Sequence, residues 1–414
     1  MRTGQYPIFW DIQKEWDGKI KFDGASRRDV GYVIRKKGFH QQIAIPYPSS
    51  YMMARPLPYV LKSPHVPKEA RVGNISELLT PTPRAYKIGN LLPWSFPHTL
   101  LETHNKSVSI RVFVVDAASN SPLISKLGAV RGYQNVDGDE LWYVYRGNGM
   151  VRTELGALLY GAGDYLYIPR GFIYEIYADL SSVTHTDTNN TILVGVESTR
   201  PLLRPLVSMD DVPYSICDMR VPLCEQTMRL PVVLHDCENP YVLAVKRSNA
   251  WSFLAYFANP TACFGWSGTP YPFIVNEKYI NVPVVDTVHT DPTQFIAFVT
   301  GDESVAVSIF RPRRVHSIPY YHDNTYDECM FLIDTYAARA GSVAMGDMTF
   351  HPQGFCHGPQ PNALSMAPVV GDPQHNRWDR ERAVMFESRQ PLVPTRESIA
   401  VELLDYWKSW IPGN

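Results

Sequence analysis

The chain has 414 residues, of which 45% are hydrophobic and 19% are charged, and its net charge is −2. This composition provides a large core and argues against disorder over most of the length. The nearly balanced charge argues against nucleic acid or a membrane surface as a partner. The sequence has no stretch of about 18 consecutive apolar residues and no apolar run at the N-terminus, so we predict a cytoplasmic protein. The six cysteines form no CxxC pair, which indicates reduced thiols.

Short segments rich in β-branched and aromatic residues recur along the chain, separated by many of the 34 scattered prolines. Such segments predict strands joined by turns, and therefore an all-β sandwich or barrel with a few accessory helices. The clearest strand segments are 109–115, 140–145, 165–168, 191–196, 294–300 and 304–310. One helix is predicted at 397–410, where apolar residues recur on one side and Thr395 is the candidate N-cap.

Two distant segments share the pattern Gly-x5-Pro-x-Gly-x2, which ends in Tyr174 in the first segment and in His357 in the second. The glycines and the proline predict tight turns that aim the last residue into the mouth of a barrel. The pattern resembles the second sequence motif of cupins, so we predict a bicupin-like double-stranded β-helix, or jelly roll, with a degenerate first half. Because Tyr174 replaces a ligand histidine and no His-x-His precedes Glu140, we predict that the first half binds no metal. The predicted division is 1–100 (divergent N-terminal strands), 101–240 (metal-free half) and 241–414 (catalytic half with the C-terminal helix).

The second half carries the residues of a candidate metal site. His322 and Glu328 are six residues apart, which puts both on one face if the strand between them is continuous. A neighbouring strand would then supply His357. Two imidazoles and one carboxylate leave one side of a metal open, as in the facial triad of non-haem Fe(II) oxygenases. We therefore predict an Fe(II) site, against the alternative that these histidines are hydrogen-bonded core residues.

The spacing His322-x5-Glu328, followed by the segment 351–359, resembles the homogentisate 1,2-dioxygenase family. Further similar segments are 135–139, 265–271, 289–292 and 385–388, and the likeness runs from about residue 100 to 410. The resemblance implies an Fe(II) enzyme that opens a para-dihydroxylated aromatic ring such as homogentisate and inserts both atoms of O2. In this family pattern the iron ligands are His322, Glu328 and His357. The resemblance also implies a homo-oligomer, either a trimer or a dimer of trimers.

The same resemblance suggests roles for five further residues. His289 falls at the family's acid–base histidine, a role that suits imidazole because its pKa lies near neutrality. The alternative for His289 is a cap on the Thr-Asp-Pro turn. The predicted substrate-binding residues are His351, Tyr320, Tyr336 and Arg339. Arg339 replaces a family lysine and could bind a substrate carboxylate, the alternative being a solvated charge; for the tyrosines the alternative is core packing.

Two positions depart from the family pattern. Asp323 replaces an arginine and Ser267 replaces a histidine, which leaves ring opening intact but makes a differently substituted hydroquinone or an aminophenol an alternative substrate. Two other functions also remain open. One is another metal-dependent cupin enzyme, such as an isomerase or a thiol dioxygenase, and the glutamate among the ligands counts against it. The other is a non-catalytic binding cupin, and the complete triad counts against that.

Overall fold

The computed structural model describes residues 30–32, 46–48, 82–93, 96–116, 124–125, 128–178, 190–203, 219–222, 240–257, 260–261, 271–280, 295–314, 325–334, 336, 339, 341–354, 357, 360 and 378–410. Its strands, in chain order, are β1 Val30–Tyr32, β2 Pro46–Pro48, β3 Arg84–Lys87, β4 His98–Thr103, β5 Val108–Asp116, β6 Ile124–Ser125, β7 Gly128–Asn135, β8 Asp139–Arg146, β9 Gly149–Thr153, β10 Gly156–Tyr160, β11 Asp164–Ile168, β12 Ile173–Ala178, β13 Asn190–Ser198, β14 Leu202–Leu203, β15 Met219–Arg220, β16 Tyr241–Arg247, β17 Ala250–Tyr256, β18 Phe273–Asn276, β19 Phe295–Thr300, β20 Val305–Phe310, β21 Arg313–Arg314, β22 Asp327–Leu332, β23 Asp347–His351, β24 Trp378–Asp379, β25 Ala383–Ser388 and β26 Leu392–Pro394. One α-helix, α1 Arg396–Ile399, and 3-10 helices at Ile88–Asn90, Glu277–Tyr279 and Tyr406–Trp410 complete the described elements.

Three large sheets organise the described part of the chain. Sheet I has the strand order β10-β9-β12-β7-β16-β17, with β6 paired to β7; sheet II has the order β15-β18-β11-β8-β13-β5-β4-β26; and sheet III has the order β14-β19-β20-β25-β22-β23-β3. Among the described pairs, β16 and β7 run parallel and the others are antiparallel. All six segments predicted as strands from the sequence form strands, so the predicted all-β fold is confirmed.

Sheet II is buried on both faces, as its central strand β8 shows. Leu141 and Tyr143 belong to the core between sheets II and III, whereas Trp142 and Val144 belong to the core between sheets I and II. Because successive side chains of a strand point to opposite faces, a strand between two cores must be apolar at nearly every position. This explains why segment 140–145 shows no polar alternation.

The two Gly-Pro-Gly segments have the same local structure. Gly163 and Gly346 have φ +88° and +84°, and Gly171 and Gly354 have φ +88° and +72°, the left-handed conformations that glycine adopts without strain. The backbone amides of Gly163 and Gly346 donate hydrogen bonds to the backbone oxygens of Val144 and Leu332, which are the fourth residues after Glu140 and Glu328. The sequence repeat is therefore a structural repeat with matching turns.

A second pair of equivalent residues lies just before the glutamates. Asp139 accepts hydrogen bonds from the backbone amides of Arg170 and Leu202, at 2.9 and 3.2 Å. Asp327 accepts from the amides of Gln353 and Leu392, at 2.7 and 2.5 Å. Each aspartate therefore ties the start of its strand to the Gly-Pro-Gly turn and to the segment after the last strand of its half.

Sheets II and III exchange strands, because each has an edge strand that comes from the opposite end of the chain. β3, from before the first half, pairs with β23 at the edge of sheet III, and β26, from the end of the second half, pairs with β4 at the edge of sheet II. Strands β16 and β18 lie beyond residue 240 but pair with β7 and β11 of the first half. The division into 101–240 and 241–414 remains a prediction, while the sheets themselves combine strands from both ranges.

The prediction of one continuous helix over 397–410 is wrong. Thr395 does cap α1, because its hydroxyl accepts from the amide of Ser398 at 3.3 Å, but α1 ends at Ile399. Beyond it, the amide of Leu403 donates to Ala85 at 2.8 Å, and Val401 accepts from Lys87 at 2.9 Å. These hydrogen bonds to β3 replace the intrahelical ones, so the chain continues along the strand edge and reaches a 3-10 helix only at Tyr406–Trp410. Among the described helices, none has the length and apolar character needed to cross a bilayer.

Candidate metal centre

Three side chains that could bind a metal meet on the face of sheet III that points away from sheet II. Glu328 in β22 and His351 at the end of β23 are direct partners across the two strands, and His357 follows the Gly-Pro-Gly turn. Their potential ligand atoms all lie within 4.8 Å of one another, and all three side chains are buried. The Oε2 atom of Glu328 is 3.0 Å from the Nε2 atom of His357. The turn geometry predicted from the sequence therefore brings this carboxylate and these imidazoles together.

The distance between Glu328 and His357 fits two ligands of one metal ion. Metal–oxygen and metal–nitrogen bonds of about 2.1 Å at a right angle place the two ligand atoms about 3.0 Å apart. A carboxylate and an imidazole that are both buried would also need a cation or protons to offset the charge of the glutamate. The donor set of oxygen and nitrogen atoms suits a divalent transition metal.

His351 has a different orientation from a third ligand. Its ring is stacked on that of His357, with centroids 4.5 Å apart and an angle of 9° between the planes. The lone pair of an imidazole nitrogen lies in the plane of the ring, so two stacked, nearly parallel rings cannot aim their lone pairs at one ion. Glu328 and His357 can therefore share a metal in this arrangement, and His351 lies beside them.

His351 is surrounded by polar side chains. Its Nε2 atom is 3.4 Å from a guanidinium nitrogen of Arg339 and 3.3 Å from the hydroxyl of Tyr406. Arg339 is only 5% exposed, so the alternative that it is a solvated charge is wrong. Its guanidinium also lies 5.4 Å from the ring centre of Tyr336. The site thus combines a buried cation with the carboxylate and the two imidazoles.

Another part of the same face of sheet III is apolar. Its core cluster contains Phe310, Met330, Leu332, Ala383 and Met385, with Tyr336 packed against it. The Tyr336 ring meets that of Phe310 edge to face, at 6.4 Å between centroids. Tyr336 therefore packs in the core, as its alternative interpretation stated, and also contacts the Arg339 cation.

Several predicted site residues fall outside the part of the chain that the structure describes. These are His322, Tyr320 and His289, as well as the departing positions Asp323 and Ser267. The prediction for His322 assumed a continuous strand from residue 322 to Glu328, and this assumption is wrong. β22 begins at Asp327, which is held by the two backbone amides described above, and residues 325 and 326 form a bend. Strand parity thus gives no information about the direction of His322, and its role remains a prediction.

The first half has a buried ion cluster at the corresponding place. Arg111 in β5 donates to Glu140 and to Glu197, both at 2.7 Å, and Lys246 pairs with Glu197. The Arg111 side chain is 1% exposed. Burial alone would lower the pKa of Arg111, but Glu197 and Glu140 outweigh it and raise the pKa, so the guanidinium keeps its charge.

Position by position, this cluster corresponds to the candidate metal centre. Glu140 pairs with Ile168 as Glu328 pairs with His351, so an apolar residue replaces the stacked histidine. Tyr174 follows six residues after Ile168 and is fully buried, with its hydroxyl against the carboxyl of Glu140. The first half therefore has a guanidinium and a phenol in place of imidazoles. This arrangement supports the prediction that it binds no metal.

Two of these residues, Tyr406 and Arg111, were not among the site residues predicted from the sequence. Tyr406 lies seven residues after Ile399 and therefore falls on the apolar side of the predicted C-terminal helix, where core packing accounts for it. Arg111 had a detectable signal, because it is a lone charge inside a strand of β-branched and aromatic residues. Such a charge needs a buried partner.

The all-β sheets and the buried carboxylate–imidazole cluster define an all-β protein with a candidate metal centre. Residues 277–413 match the family model described as "Homogentisate 1,2-dioxygenase C-terminal". The chain is 27% identical over 290 residues to "Putative dioxygenase SSO1533" of Saccharolobus solfataricus, covering 67% of this chain and 70% of that protein. It is 26% identical over 330 residues to human homogentisate 1,2-dioxygenase, covering 74% of this chain and 68% of the human protein. These matches support a divergent member of the homogentisate 1,2-dioxygenase family, and an enzyme of the dioxygenase class.

Two solved structures align with most of the chain at low sequence identity. A cupin 2 conserved barrel domain protein from Leptotrichia buccalis aligns with 75% of this chain and 96% of its own, at 9% identity and a TM-score of 0.32. The putative glyoxylate induced protein from Pseudomonas aeruginosa aligns with 77% of this chain and 93% of its own, at 12% identity and a TM-score of 0.33.

Proposed function

We propose that the protein is an Fe(II)-dependent dioxygenase that opens a para-dihydroxylated aromatic ring and inserts both atoms of O2. The observation that carries the proposal is the 3.0 Å approach of the Glu328 carboxylate to His357, next to the stacked His351. A mixed carboxylate–imidazole set with one open side is typical of non-haem Fe(II) oxygenases. The matches to the homogentisate 1,2-dioxygenase family support the reaction class.

In this proposal Glu328 and His357 hold the iron together with His322, as the family resemblance implies. When bound there, Fe(II) supplies open coordination positions and the one-electron chemistry that lets O2 react with an aromatic ring. The stacked arrangement supports the assignment of His351 to a neighbouring role, since a fourth protein ligand would close one of those positions.

The chain's own residues bind and orient the substrate. The buried guanidinium of Arg339 suits a carboxylate or phenolate oxygen, because its planar fork of N–H groups matches two acceptor oxygens. Tyr336, Phe310 and Met385 provide an apolar wall for an aromatic ring and limit the access of water. His289, by resemblance the acid–base histidine, would take the proton of a substrate hydroxyl.

Homogentisate is the first substrate candidate because it combines two para hydroxyls with a carboxylate that Arg339 could bind. The replacement of family residues by Asp323 and Ser267 keeps other hydroquinones and aminophenols as alternatives. The cytoplasmic location and the trimeric or hexameric assembly remain predictions that accompany this function.

An oxygen-electrode screen tests the proposal. Protein reconstituted anaerobically with Fe(II) is mixed with homogentisate, gentisate, plain hydroquinones and aminophenols, and O2 uptake and the ring-opened product are measured. One O2 consumed per ring opened is the expected result for at least one compound. Iron bound at one equivalent without O2 uptake from any dihydroxyaromatic would rule out ring cleavage, and no bound iron would rule out the metal site itself.

A further inference from the structure

The segment 401–410 reaches from one edge of sheet III to the candidate metal centre. It begins as an extension of β3, where Leu403 and Val401 hydrogen-bond to Ala85 and Lys87. Glu402 adds an ion pair to Arg84, with 2.6 Å between their charged atoms and both side chains largely buried. The segment is therefore anchored to the strand that lies beside β23, the strand that ends at His351.

The far end of the segment is anchored near His357. Gln360, three residues after His357, is 2% exposed and donates from its amide nitrogen to the hydroxyl of Ser409 at 2.7 Å. That hydroxyl donates in turn to the backbone oxygen of Tyr406, at 2.5 Å. The 3-10 helix Tyr406–Trp410 is thus fixed between β3 and the residues that follow the candidate ligand.

This double anchoring points the Tyr406 hydroxyl at His351. Tyr406 is 4% exposed, and its ring packs with Ala85, Val343 and Leu403. The hydroxyl is 3.3 Å from the Nε2 atom of His351, and the ring centroids are 6.2 Å apart. Because the tyrosine ring is held by packing, the hydroxyl has little freedom to turn away.

The donor and acceptor roles at this nitrogen can be assigned. A guanidinium has no acceptor atom, so Arg339 must donate to Nε2, and Nε2 must carry a lone pair. Tyr406 is then a donor to the same lone pair, because Nε2 carries no proton to give. Burial raises the pKa of Tyr406, although Arg339 opposes this, so the phenol keeps the proton that it donates.

We propose that Tyr406 is a positioning residue for the dioxygenase reaction, acting with Arg339 to hold the His351 imidazole stacked on His357. This inference rests on the proposed function, in which His351 has a role beside the iron ligands. Both contacts to Nε2 are long for hydrogen bonds, so neither is strong by itself and the tyrosine supplies the second of two weak restraints.

A double-mutant cycle tests the proposal. Tyr406→Phe keeps the packed ring and removes the hydroxyl, and we expect kcat to fall about fivefold with iron content unchanged. In a His351→Gln background the same change should have no further effect, since the group that it positions is gone. A purely structural role would instead lower activity by the same factor in both backgrounds, and that result, or an unchanged kcat for Tyr406→Phe, would overturn the proposal.

Tyr160→Phe is the matched control. Tyr160 is a buried tyrosine of the first half whose hydroxyl donates to the backbone oxygen of Tyr177 at 2.9 Å, so its removal also costs one hydrogen bond. We expect this variant to keep the parent kcat. An equal loss in both variants would show that the Tyr406 effect is a general loss of stability.

Crystal structures of the parent and of Tyr406→Phe provide a readout that needs no turnover. The His351 ring should leave its stacked position in the variant while Glu328 and His357 stay in place. If the parent consumes no O2 with any substrate, the proposed function fails, and these structures alone decide the inference: a ring that stays stacked on His357 without the hydroxyl would overturn it.

Discussion

Arg111 and Ser308 lie at equivalent positions of the two halves and bond to equivalent glutamates. Arg111 donates to Glu197 at 2.7 Å, and Ser308 donates to Glu387 at 2.7 Å. In each half, the residue that pairs with the glutamate across the two strands is two positions before Arg111 or Ser308 in the sequence. The first half therefore has a guanidinium at the position where the second half has the hydroxyl of Ser308. This cation offsets the charge of the buried carboxylates of the first half, which supports the prediction that this half binds no metal.

Arg111→Met should strongly destabilise the protein. It leaves Glu140 and Glu197 buried with Lys246 as their remaining cation, and we expect the free energy of unfolding to fall by about 3–5 kcal/mol, measured by urea unfolding. Adding Glu140→Gln should recover part of the loss, because one of the two buried charges is removed. Ser308→Ala, the equivalent change in the second half, should cost only about 1 kcal/mol. Equal losses for Arg111→Met and Ser308→Ala would contradict the buried ion cluster.

Glu328→Gln should remove the metal without unfolding the chain. Replacing the carboxylate by an amide takes away the negative ligand, and we expect iron affinity to fall by more than about 100-fold, measured as iron retained after dialysis against a chelator. Glu140→Gln makes the same change at the equivalent position of the first half and should leave the iron content at one equivalent. A loss of iron in both variants would place metal in both halves, contrary to the prediction for the first.

Arg339→Met should change which substrates are used. We expect kcat/KM to fall by a larger factor for homogentisate than for unsubstituted hydroquinone, because the carboxylate loses a charged hydrogen bond that contributes about 1.5–3 kcal/mol. Arg339→Lys keeps the charge and loses the planar fork, so it should fall between the parent and the methionine variant. Equal factors for the two substrates would mean that Arg339 does not bind the carboxylate.

The contact between His98 in β4 and Glu397 in α1 should add stability that depends on pH. Burial alone would lower the pKa of His98, but the interaction with the Glu397 carboxylate and the hydrogen bond to the backbone oxygen of Leu92 together outweigh it, and the pKa is raised. A raised pKa in the folded state stabilises the protein fully below pH about 6.5, and this contribution disappears as the pH rises through the folded value. Since Glu397 is half exposed, we expect at most about 0.5 kcal/mol.

Urea unfolding of the parent and of Glu397→Gln at pH 5.5 and pH 8.5 measures this contribution. The difference in stability between the two proteins should be larger at the lower pH. A difference that grows toward high pH would show that the imidazole is not the partner of this carboxylate.

The fold was largely predictable because strands leave local signals. Segments such as 109–115 and 304–310 carry the β-branched pattern in their own residues, and no distant contact changes it. The helix over 397–410 failed for the opposite reason. The apolar residues do recur with helical periodicity, but Val401 and Leu403 form backbone hydrogen bonds with β3. Because β3 is far away in the sequence, a local pattern cannot predict these hydrogen bonds.

The candidate site was predictable only where it depends on the spacing of residues along the chain. The Gly-Pro-Gly turn fixes where His351 and His357 lie relative to Glu328, so spacing alone brought them together. The position of Tyr406 depends on the packing of the segment 401–410 across sheet III, and spacing carries no information about that. The orientation of His351, stacked beside the metal position, likewise depends on Arg339 and Tyr406 and became apparent only from the structure.

The exchange of β3 and β26 between the sheets affects how the polypeptide can fold during synthesis. During synthesis on the ribosome, β3 is made early but cannot pair until β23 has been made. The edge of β4 likewise stays unpaired until β26 has left the exit tunnel. Long-range pairings of this kind slow folding and leave strand edges exposed to other nascent chains. Early termination before β26 would therefore leave the edge of sheet II at β4 open, although the missing residues belong to the other end of the sequence.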